Sequence, residues 1–207
     1  MEDIYRGSSL NEGDGKLAYV FPGQGSQGVG MGLDLYRNFS AAREVFEEAD
    51  EALGFPLSRL CFEGPEEELA QTINAQPAIL TVSIACLKAA FQVAGKLICP
   101  AFMAGHSLGE YTALVAAQVL DFGDAVRLTR ERGRLMQEAG VIVPGGMVAI
   151  IGLDEVSVEQ VCQETGAEIA NLNSPGQIVI SGTRETMVRA IDLARAMGAR
   201  RAIPLNV

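Results

Sequence analysis

The stretch AFMAGHSLGEYTALVAAQ, residues 101–118, contains the predicted strand-to-helix turn on which the fold depends. Residues 101–104 are apolar and follow a proline, which predicts a short buried strand. The residues after 109 show a helical pattern, and we expect a helix that ends near residue 118. The motif GHSLG, residues 105–109, therefore lies on a sharp turn that joins a strand to a helix.

This turn matches the pattern G-x-S-x-G, which places a serine on a strained strand-to-helix elbow. Gly105 and Gly109 remove side chains that would clash in such a turn. The elbow pushes the hydroxyl of Ser107 into a cleft and aims the N–H of Leu108 at a developing oxyanion, while the next helix adds its positive end. The alternative is a plain structural turn, but the apolar run before the motif and the helical pattern after it favour a nucleophilic serine.

Toward the N-terminus, the sequence adds one strand and two helices to the elbow. Residues 17–21, LAYVF, are an apolar run that ends at a Pro-Gly turn and predicts another buried strand. Residues 40–53 carry apolar side chains at helical spacing, and residues 77–94, after a proline, form a long apolar helix that we expect to be buried. Residues 1–16 are polar and rich in Gly, Ser and Asn, which is typical of a loose tail.

Toward the C-terminus, the sequence DFGD at 121–124 predicts the start of a helix over residues 125–139. After residue 142 we expect strands at 147–152, 168–172, 177–181 and 199–207, and helices at 154–165 and 183–197. That order is a complete ferredoxin-like unit. We therefore predict an α/β core over residues 17–142 and a small domain over 143–207. With only two clear strands, the core sheet is thin for burying helices on both faces.

Composition excludes several classes of function. Hydrophobic residues make up 48% of the 207 and charged residues 20%, which is a globular balance. The formal net charge of −10 argues against a nucleic-acid binder, because neutralising phosphates needs a basic face. The longest apolar stretches look too short or too interrupted to span a bilayer.

The cysteines and the N-terminus indicate a cytoplasmic protein. The four cysteines have no metal-ligand or C-x-x-C spacing, and no signal peptide is present, so we expect reduced thiols. Cys86 lies in an apolar run and is expected to pack in the core. The other three are Cys61, Cys99 and Cys162.

Charge is distributed unevenly along the chain. Residues 1–70 carry 14 acidic and 5 basic side chains, whereas residues 184–207 carry five arginines and two acidic residues. The five are Arg184, Arg189, Arg195, Arg200 and Arg201. They form either solvated helix faces or a docking patch for an acidic partner.

A glycine-rich loop, GQGSQG at 23–28, follows the first strand and has three interpretations. It matches the dinucleotide pattern G-x-G-x-x-G, but Pro22 lies at the turn and no second strand with an acidic end follows near residue 50. It could instead line an acyl cleft, where the N–H of Gln24 would be a second oxyanion donor. The third interpretation is a tight turn with no further role.

Arg132 lies on a predicted apolar face. In the helix at 125–139, Leu128, Leu135, Met136 and Ala139 define an apolar stripe, and Arg132 falls on it. Arg127 and Arg134 instead point outward, each with a glutamate four residues later, Glu131 and Glu138. A guanidinium on the apolar stripe needs an anion, because its desolvation is costly. The anion is either a structural carboxylate or a substrate carboxylate held by two hydrogen bonds, which would select malonyl over acetyl.

Together these segments resemble the malonyl-CoA:acyl carrier protein transacylase family of fatty-acid and polyketide synthesis. The resemblance is carried by FPGQGSQ at 21–27, QPA at 76–78, GHSLGEY at 105–111, DF at 121–122 with RG at 132–133, and NSPG at 173–176. It covers about residues 17–207. It implies an α/β-hydrolase-like core with an inserted ferredoxin-like subdomain, which agrees with the predicted element order.

The resemblance also implies a mechanism. Ser107 would take malonyl from coenzyme A as an ester, and Arg132 would pair with the malonyl carboxylate. The backbone N–H groups of Gln24 and Leu108 would form the oxyanion hole. The acyl group would then pass to the phosphopantetheine thiol of acyl carrier protein, and neither a metal nor a bound organic cofactor is needed.

Two further residues take roles from the resemblance. Gln76 would line the pocket, and His106 would influence acyl selectivity without acting as the base. The expected partners are malonyl-CoA and acyl carrier protein, with no nucleic acid and no membrane, and we expect a monomer.

The general base implied by the resemblance is a second histidine just after the last strand of the small domain, near where this sequence reaches Val207. His106 is the one histidine in the chain. Adjacent residues leaving a strand point to opposite sides, so its ring should not reach the Ser107 hydroxyl. We therefore expect a core that is incomplete at its C-terminal end and weak activity for the chain alone. The alternative function is a catalytically impaired fragment that binds a carrier protein.

A third hypothesis is a serine hydrolase that uses water as the acceptor. Arg132 argues against it, because a lipase or esterase pocket would not bury a free cation. The sequence leaves open the choice between malonyl and methylmalonyl, and between fatty-acid and polyketide pathways.

Overall fold

The computed structural model describes residues 16–205, which form two compact units that divide between Gln137 and Glu138. The tail predicted over residues 1–16 lies, except for Lys16, outside the described residues. The predicted domain boundary, at residue 142, falls five residues after the observed division. The division lies inside a long helix, which the sequence pattern treats as one element.

The first unit contains a parallel sheet of two strands, β1 (Ala18–Phe21) and β2 (Phe102–Gly105). Both strands lie where the sequence predicts them, but they are not buried as expected. Val20 is 73% exposed and Phe102 is 59% exposed, whereas Phe21 belongs to the core. Each strand has one hydrogen-bonded neighbour in the described part of the chain, and the core covers only one face of the sheet.

The described residues before the second unit also form seven helices. They are α1 (Leu33–Asn38), α2 (Ser40–Leu53), α3 (Leu57–Glu63), α4 (Glu66–Leu69), α5 (Thr72–Ala94), α6 (Gly109–Ala116) and α7 (Phe122–Ile142). Helix α2 has the predicted bounds, and Val45, Phe46 and Ala49 on its predicted apolar face are buried. Its core contacts include Tyr36 and Phe62, whose rings meet Phe46 at centroid distances of 5.9 and 5.0 Å. The small α1, α3 and α4 helices were not predicted.

Helix α5 begins five residues earlier than predicted. The prediction used Pro77 as the start, but Pro77 lies inside the helix, where its missing N–H leaves one carbonyl of the first turns without its helical donor. The extension matters for the site because it places Asn74 and Gln76 on a helix rather than on a loop.

Helix α5 is also long and apolar enough to cross a membrane by length and composition, which corrects the expectation that no apolar stretch reaches that length. Core helices of globular proteins can have the same length and apolar composition. Here 44% of its most apolar window is buried inside the protein, and Leu80, Ile84 and Ala85 belong to the core of the first unit. We therefore treat α5 as the central helix of that core.

Helix α7 starts at the predicted signal, since Asp121 Oδ1 accepts a hydrogen bond from the N–H of Asp124 at 3.3 Å. Its buried face, however, is not the predicted stripe. Leu128, Leu135 and Met136 are about half exposed and Ala139 is exposed. The buried positions are small or lie near the start of the helix, namely Phe122, Gly123, Ala125, Val126, Thr129 and Gly133.

Gly133, on the buried side of α7, allows a close contact between two helices. A Cβ atom at Gly133 would lie 2.5 Å from the carbonyl oxygen of Thr72 and 2.7 Å from Cα of Ile73. The backbones of α7 and α5 therefore touch at Gly133, and only glycine fits there.

The second unit has the predicted strand-helix-strand-strand-helix-strand order. Its elements are β3 (Gly145–Ile151), α8 (Glu155–Thr165), β4 (Glu168–Ser174), β5 (Gln177–Thr183), α9 (Arg184–Ala196) and β6 (Arg201–Leu205). The sheet order is β4-β5-β3-β6, and all pairs are antiparallel. Val148, Ile150, Ile178 and Ile180 alternate toward the helices and form the core of this unit.

Both helices of the second unit have side-chain caps. Asp154 accepts a hydrogen bond from the N–H of Ser157 at 2.8 Å, and Thr183 accepts one from the N–H of Thr186 at 3.2 Å. The cap on Asp154 also lowers the pKa of its carboxyl group, because the bond favours the charged form.

The four cysteines are free thiols, and Cys86 is exposed rather than packed in the core as predicted. It lies on the part of α5 that faces away from the buried centre. Cys61 is fully buried, and this burial raises the pKa of its thiol to about 12.

We expect the native chain to react with iodoacetamide at pH 8 at the exposed Cys86 and Cys99, and not at Cys61. The thiolate is the reactive species, and Cys61 is neutral at that pH. Peptide mapping after timed labelling measures this. Labelling of Cys61 at the rate of Cys99 before unfolding would show that α3 is not packed as described.

We expect Gly133→Ala to lower the free energy of unfolding by about 1–3 kcal/mol, the usual range for overpacking a close contact. The matched control is Gly140→Ala on the same helix, where a Cβ meets nothing within 4 Å. That change should stabilise the helix slightly, by up to about 1 kcal/mol. Urea unfolding measures the free energy of unfolding of both variants. Equal values would contradict the contact between α5 and α7.

Candidate active site

Ser107 lies on the elbow between β2 and α6. Its φ of +54° is in the left-handed region, which is uncommon for a residue with a side chain and costs about 1–3 kcal/mol. A Cβ at Gly105 would overlap the backbone of Gly109, and one at Gly109 would lie 2.5 Å from the carbonyl oxygen of Phe21. The structure therefore confirms the predicted elbow and the predicted reason for both glycines.

His106 faces the glycine-rich loop. Its N–H donates to the carbonyl of Phe21 at 3.1 Å, and its carbonyl accepts from the N–H of Gly109 at 2.9 Å. A Cβ at Gly23 would lie 2.6 Å from Nδ1 of the His106 ring. The hydroxyl oxygen of Ser107 accepts a hydrogen bond from Arg132. That His106 does not act as the base stays a prediction.

The glycine-rich loop does not have the geometry of a dinucleotide site. In such a site a helix starts directly at the loop, so that its N-terminus meets the pyrophosphate. Here α1 starts at Leu33, after Gly32, and residues 22–32 form no helix. The loop instead packs against the elbow through Gly23, which favours the interpretation that it lines the site of Ser107.

Gln24 is held in this loop by its side chain. Its Nε2 donates to Oγ1 of Thr72, at the start of α5, at 3.1 Å. Among the described residues, the backbone N–H groups of Gln24 and Leu108 donate to no other group. Both donors are therefore available for a ligand near the elbow.

Arg132 reaches the serine from α7. Its Nη2 donates to Ser107 Oγ at 3.0 Å, and its Nη1 donates to Gln76 Oε1 at 2.6 Å. The guanidinium also lies 6.0 Å from the ring centroid of Tyr111. Arg132 forms no salt bridge with any described carboxylate, so the structural-carboxylate alternative is not observed.

Gln76 is the residue that orients this arginine. Its side chain is fully buried, and Nε2 points to Sδ of Met136 at 3.2 Å while Oε1 accepts from Arg132. The family resemblance implied for Gln76 only a pocket-lining role. A buried glutamine beside Pro77 was the available signal, because buried amides need partners.

Tyr111 and Thr72 are site residues that the sequence analysis missed. Neither has a chemical type that marks it, and each is recognised only because α5, α6 and the loop meet. Around Ser107 the structure thus brings together two backbone donors that no described acceptor uses, one guanidinium that no described carboxylate pairs with, and the amide that holds it. Such a site can bind an acyl group that carries a carboxylate.

Comparison with known families supports this description. Residues 18–207 match the acyl transferase domain family. The chain is 53% identical over 197 residues to the malonyl CoA-acyl carrier protein transacylase of Bacillus subtilis, covering 93% of this chain and 61% of that protein. It is 50% identical over 196 residues to the enzyme of the same name from Escherichia coli K12, with coverages of 93% and 63%.

Solved structures give the same result. A type II polyketide synthase acyl-carrier protein in complex with its malonyl-transacylase matches with a TM-score of 0.86 and 48% identity, over 93% of this chain and 63% of that one. An acyl carrier protein S-malonyltransferase from Vibrio cholerae matches with a TM-score of 0.85 and 46% identity, over 93% and 64%.

The chain thus spans between 61% and 63% of the length of the curated relatives named here. Its match to the family extends over both units and includes the elbow, the glycine-rich loop and the arginine of α7. The chain therefore belongs to the acyl transferase domain family, and its relatives within that family are malonyl CoA-acyl carrier protein transacylases.

Proposed function

We propose that this chain carries the acyl-accepting site of a malonyl transferase, which moves malonyl from malonyl-CoA to the phosphopantetheine thiol of acyl carrier protein. The observation that carries the proposal is the hydrogen bond of 3.0 Å between Arg132 Nη2 and Ser107 Oγ. It places a cation that no carboxylate of residues 16–205 pairs with beside a strained serine. The names of the relatives support the same acyl group and the same acceptor.

The first half-reaction forms an ester on Ser107. The hydroxyl oxygen attacks the thioester carbonyl carbon of malonyl-CoA, and the carbonyl oxygen becomes an oxyanion held by the N–H groups of Gln24 and Leu108. When the carbon–sulfur bond breaks, coenzyme A leaves as a thiol that carries the proton lost by the serine. The helix α6 directs its positive N-terminal end toward the same region.

Arg132 gives this reaction its preference for a carboxylate. Its guanidinium is held by the neutral Oε1 of Gln76, so its charge is free to pair with the malonyl carboxylate. An acetyl group offers no anion and leaves the guanidinium without one. The site should therefore favour malonyl in both binding and acylation.

The second half-reaction transfers the acyl group to the carrier protein. The phosphopantetheine thiol attacks the ester carbonyl, the bond to Ser107 Oγ breaks, and the proton of the thiol returns to the serine. No bound cofactor or metal is needed for either half. We infer that the acidic carrier docks near the exposed arginines of the second unit, which are Arg184, Arg189, Arg195, Arg200 and Arg201.

We also infer a finer description of the fold. The elbow after a parallel strand is typical of α/β-hydrolase-like cores, and the β4-β5-β3-β6 sheet with its two helices is ferredoxin-like. On this description the second unit is an insertion in the acyltransferase core.

The acyl-enzyme is tested by intact-mass analysis of the purified chain after incubation with malonyl-CoA. We expect a mass increase of one malonyl group, lost in Ser107→Ala because that variant has no nucleophile. The absence of an adduct on a folded wild-type chain would contradict transfer by this chain. It would favour the alternative of a carrier-protein-binding module, which loses binding on charge reversal of Arg200 and Arg201.

The role of Arg132 is tested by comparing acylation of Ser107 by malonyl-CoA and by acetyl-CoA. We expect Arg132→Ala to lower the malonyl rate by about 10- to 100-fold, since a hydrogen bond to a charged group contributes about 1.5–3 kcal/mol. The acetyl rate should change much less. Arg127→Ala is the control, because Arg127 is exposed and pairs only within α7. Equal losses for both acyl groups would contradict carboxylate recognition.

A further inference from the structure

Two hydrogen bonds, each from an arginine of α7 to a side-chain amide of α5, join these helices near the contact at Gly133. Besides the pair of Arg132 with Gln76, Arg130 Nη1 donates to Asn74 Oδ1 at 3.0 Å. Each pair joins one arginine of α7 to one amide of α5, and the spacing is two residues on both helices. The proposed function uses only the first pair.

Both members of the second pair are held by further contacts. Asn74 is 6% exposed, and its Nδ2 donates to the carbonyl of Glu68 at 2.9 Å, so its Oδ1 is directed at Arg130. The Arg130 guanidinium lies over the ring of Phe55, 4.2 Å from the centroid. Its partners therefore come from α5 and from the segment after α2, not from α7.

Arg130 has no acidic partner among the residues that the structure describes. Burial lowers the pKa of its guanidinium, because the charged form loses water without gaining a counter-charge. A partly buried cation held by a neutral oxygen and a ring gains little stability compared with an ion pair. The contacts instead fix the orientation of the Arg130 side chain, since its planar guanidinium must match both the amide oxygen and the ring.

The neighbouring arginines of α7 are different. Arg127 pairs with Asp124 at 2.6 Å, and Glu131 pairs with Arg134 at 2.6 Å. These bonds lie within one helix and are exposed. They cannot set the position of α7 relative to α5.

We propose that Arg130 is a positioning residue, which together with Asn74 and Phe55 holds α7 in the register that brings Arg132 to Ser107. The backbone contact at Gly133 sets the distance between the helices but has little directionality. A bond on Arg130 two residues from Arg132 resists rotation of α7 about its axis. The kinetic consequence rests on the proposed function, whereas the structural consequence does not.

The kinetic test uses Arg130→Met and Asn74→Ala, with Arg127→Met as the matched control. Ser107 acylation is measured with malonyl-CoA and with acetyl-CoA. We expect both variants to lower the malonyl rate by about tenfold, because a small misplacement of a binding group has effects of this order or larger. The acetyl rate, which does not need Arg132, should change less than about twofold. Arg130→Lys should recover part of the loss.

Two kinetic outcomes would overturn the proposal. If Arg130→Met lowers the malonyl and acetyl rates equally, the residue serves only general stability. If it changes neither rate in a folded chain, the pair with Asn74 has no effect on the site.

A second readout is independent of activity. In a chain labelled with ¹⁵N-arginine, the side-chain Nε–Hε signal of Arg132, assigned through Arg132→Lys, reports how firmly its guanidinium is held. We expect this signal to shift and broaden in Arg130→Met and to stay unchanged in Arg127→Met. If the wild-type chain forms no acyl-enzyme, the proposed function fails but this result still supports positioning. An unchanged Arg132 signal in Arg130→Met would overturn it even in an active chain.

Discussion

The close contact of two backbones at the strand-to-helix elbow is the constraint on which the site depends. Between β2 and α6 the chain turns so sharply that a methyl group on Gly105 would overlap Gly109, and Ser107 is forced to a φ of +54°. The same turn brings Gly109 against the carbonyl of Phe21, so β1 and the glycine-rich loop are held beside the serine. The strained backbone of Ser107 thus fixes the position of its hydroxyl, and the close packing at Gly105 and Gly109 maintains that strain.

A second close backbone contact brings the charge to this serine. Gly133 lets α7 touch α5, and the guanidinium of Arg132 then lies between the amide of Gln76 and the hydroxyl of Ser107. The two contacts use the same physical device, which is the removal of a Cβ where two elements must approach. They join three parts of the chain that are distant in sequence into one site.

Polar groups on α5 determine the electrostatics of the site. Asn74 and Gln76 are almost completely buried near the start of a helix that is otherwise part of the apolar core. Each amide accepts a hydrogen bond from an arginine through its oxygen and donates its N–H₂ elsewhere, so these buried polar groups are paired, and no described carboxylate offsets the charge of either arginine. A net negative chain thereby maintains a small positive site, which is what an anionic acyl group requires.

The sequence by itself determined the features that are written in local patterns. The elbow around Ser107, the bounds of α2 and the βαββαβ order of the second unit follow from glycine spacing and from hydrophobic period, and the structure has all of them. The sequence also drew attention to Arg132 because it lies on an apolar stripe of α7, although the structure leaves that stripe about half exposed.

Only the tertiary structure decided which faces are buried and which polar groups meet. Gly133, not the larger stripe of Leu128 and Leu135, lies against α5, because the close approach of the two backbones is possible only where no side chain intervenes. The approach of α7 to α5 also pairs Arg132 with Gln76 and Arg130 with Asn74. Sequence periodicity reports the apolar character of a helix, but contacts between helices depend on shape, which is set only when both surfaces are in place.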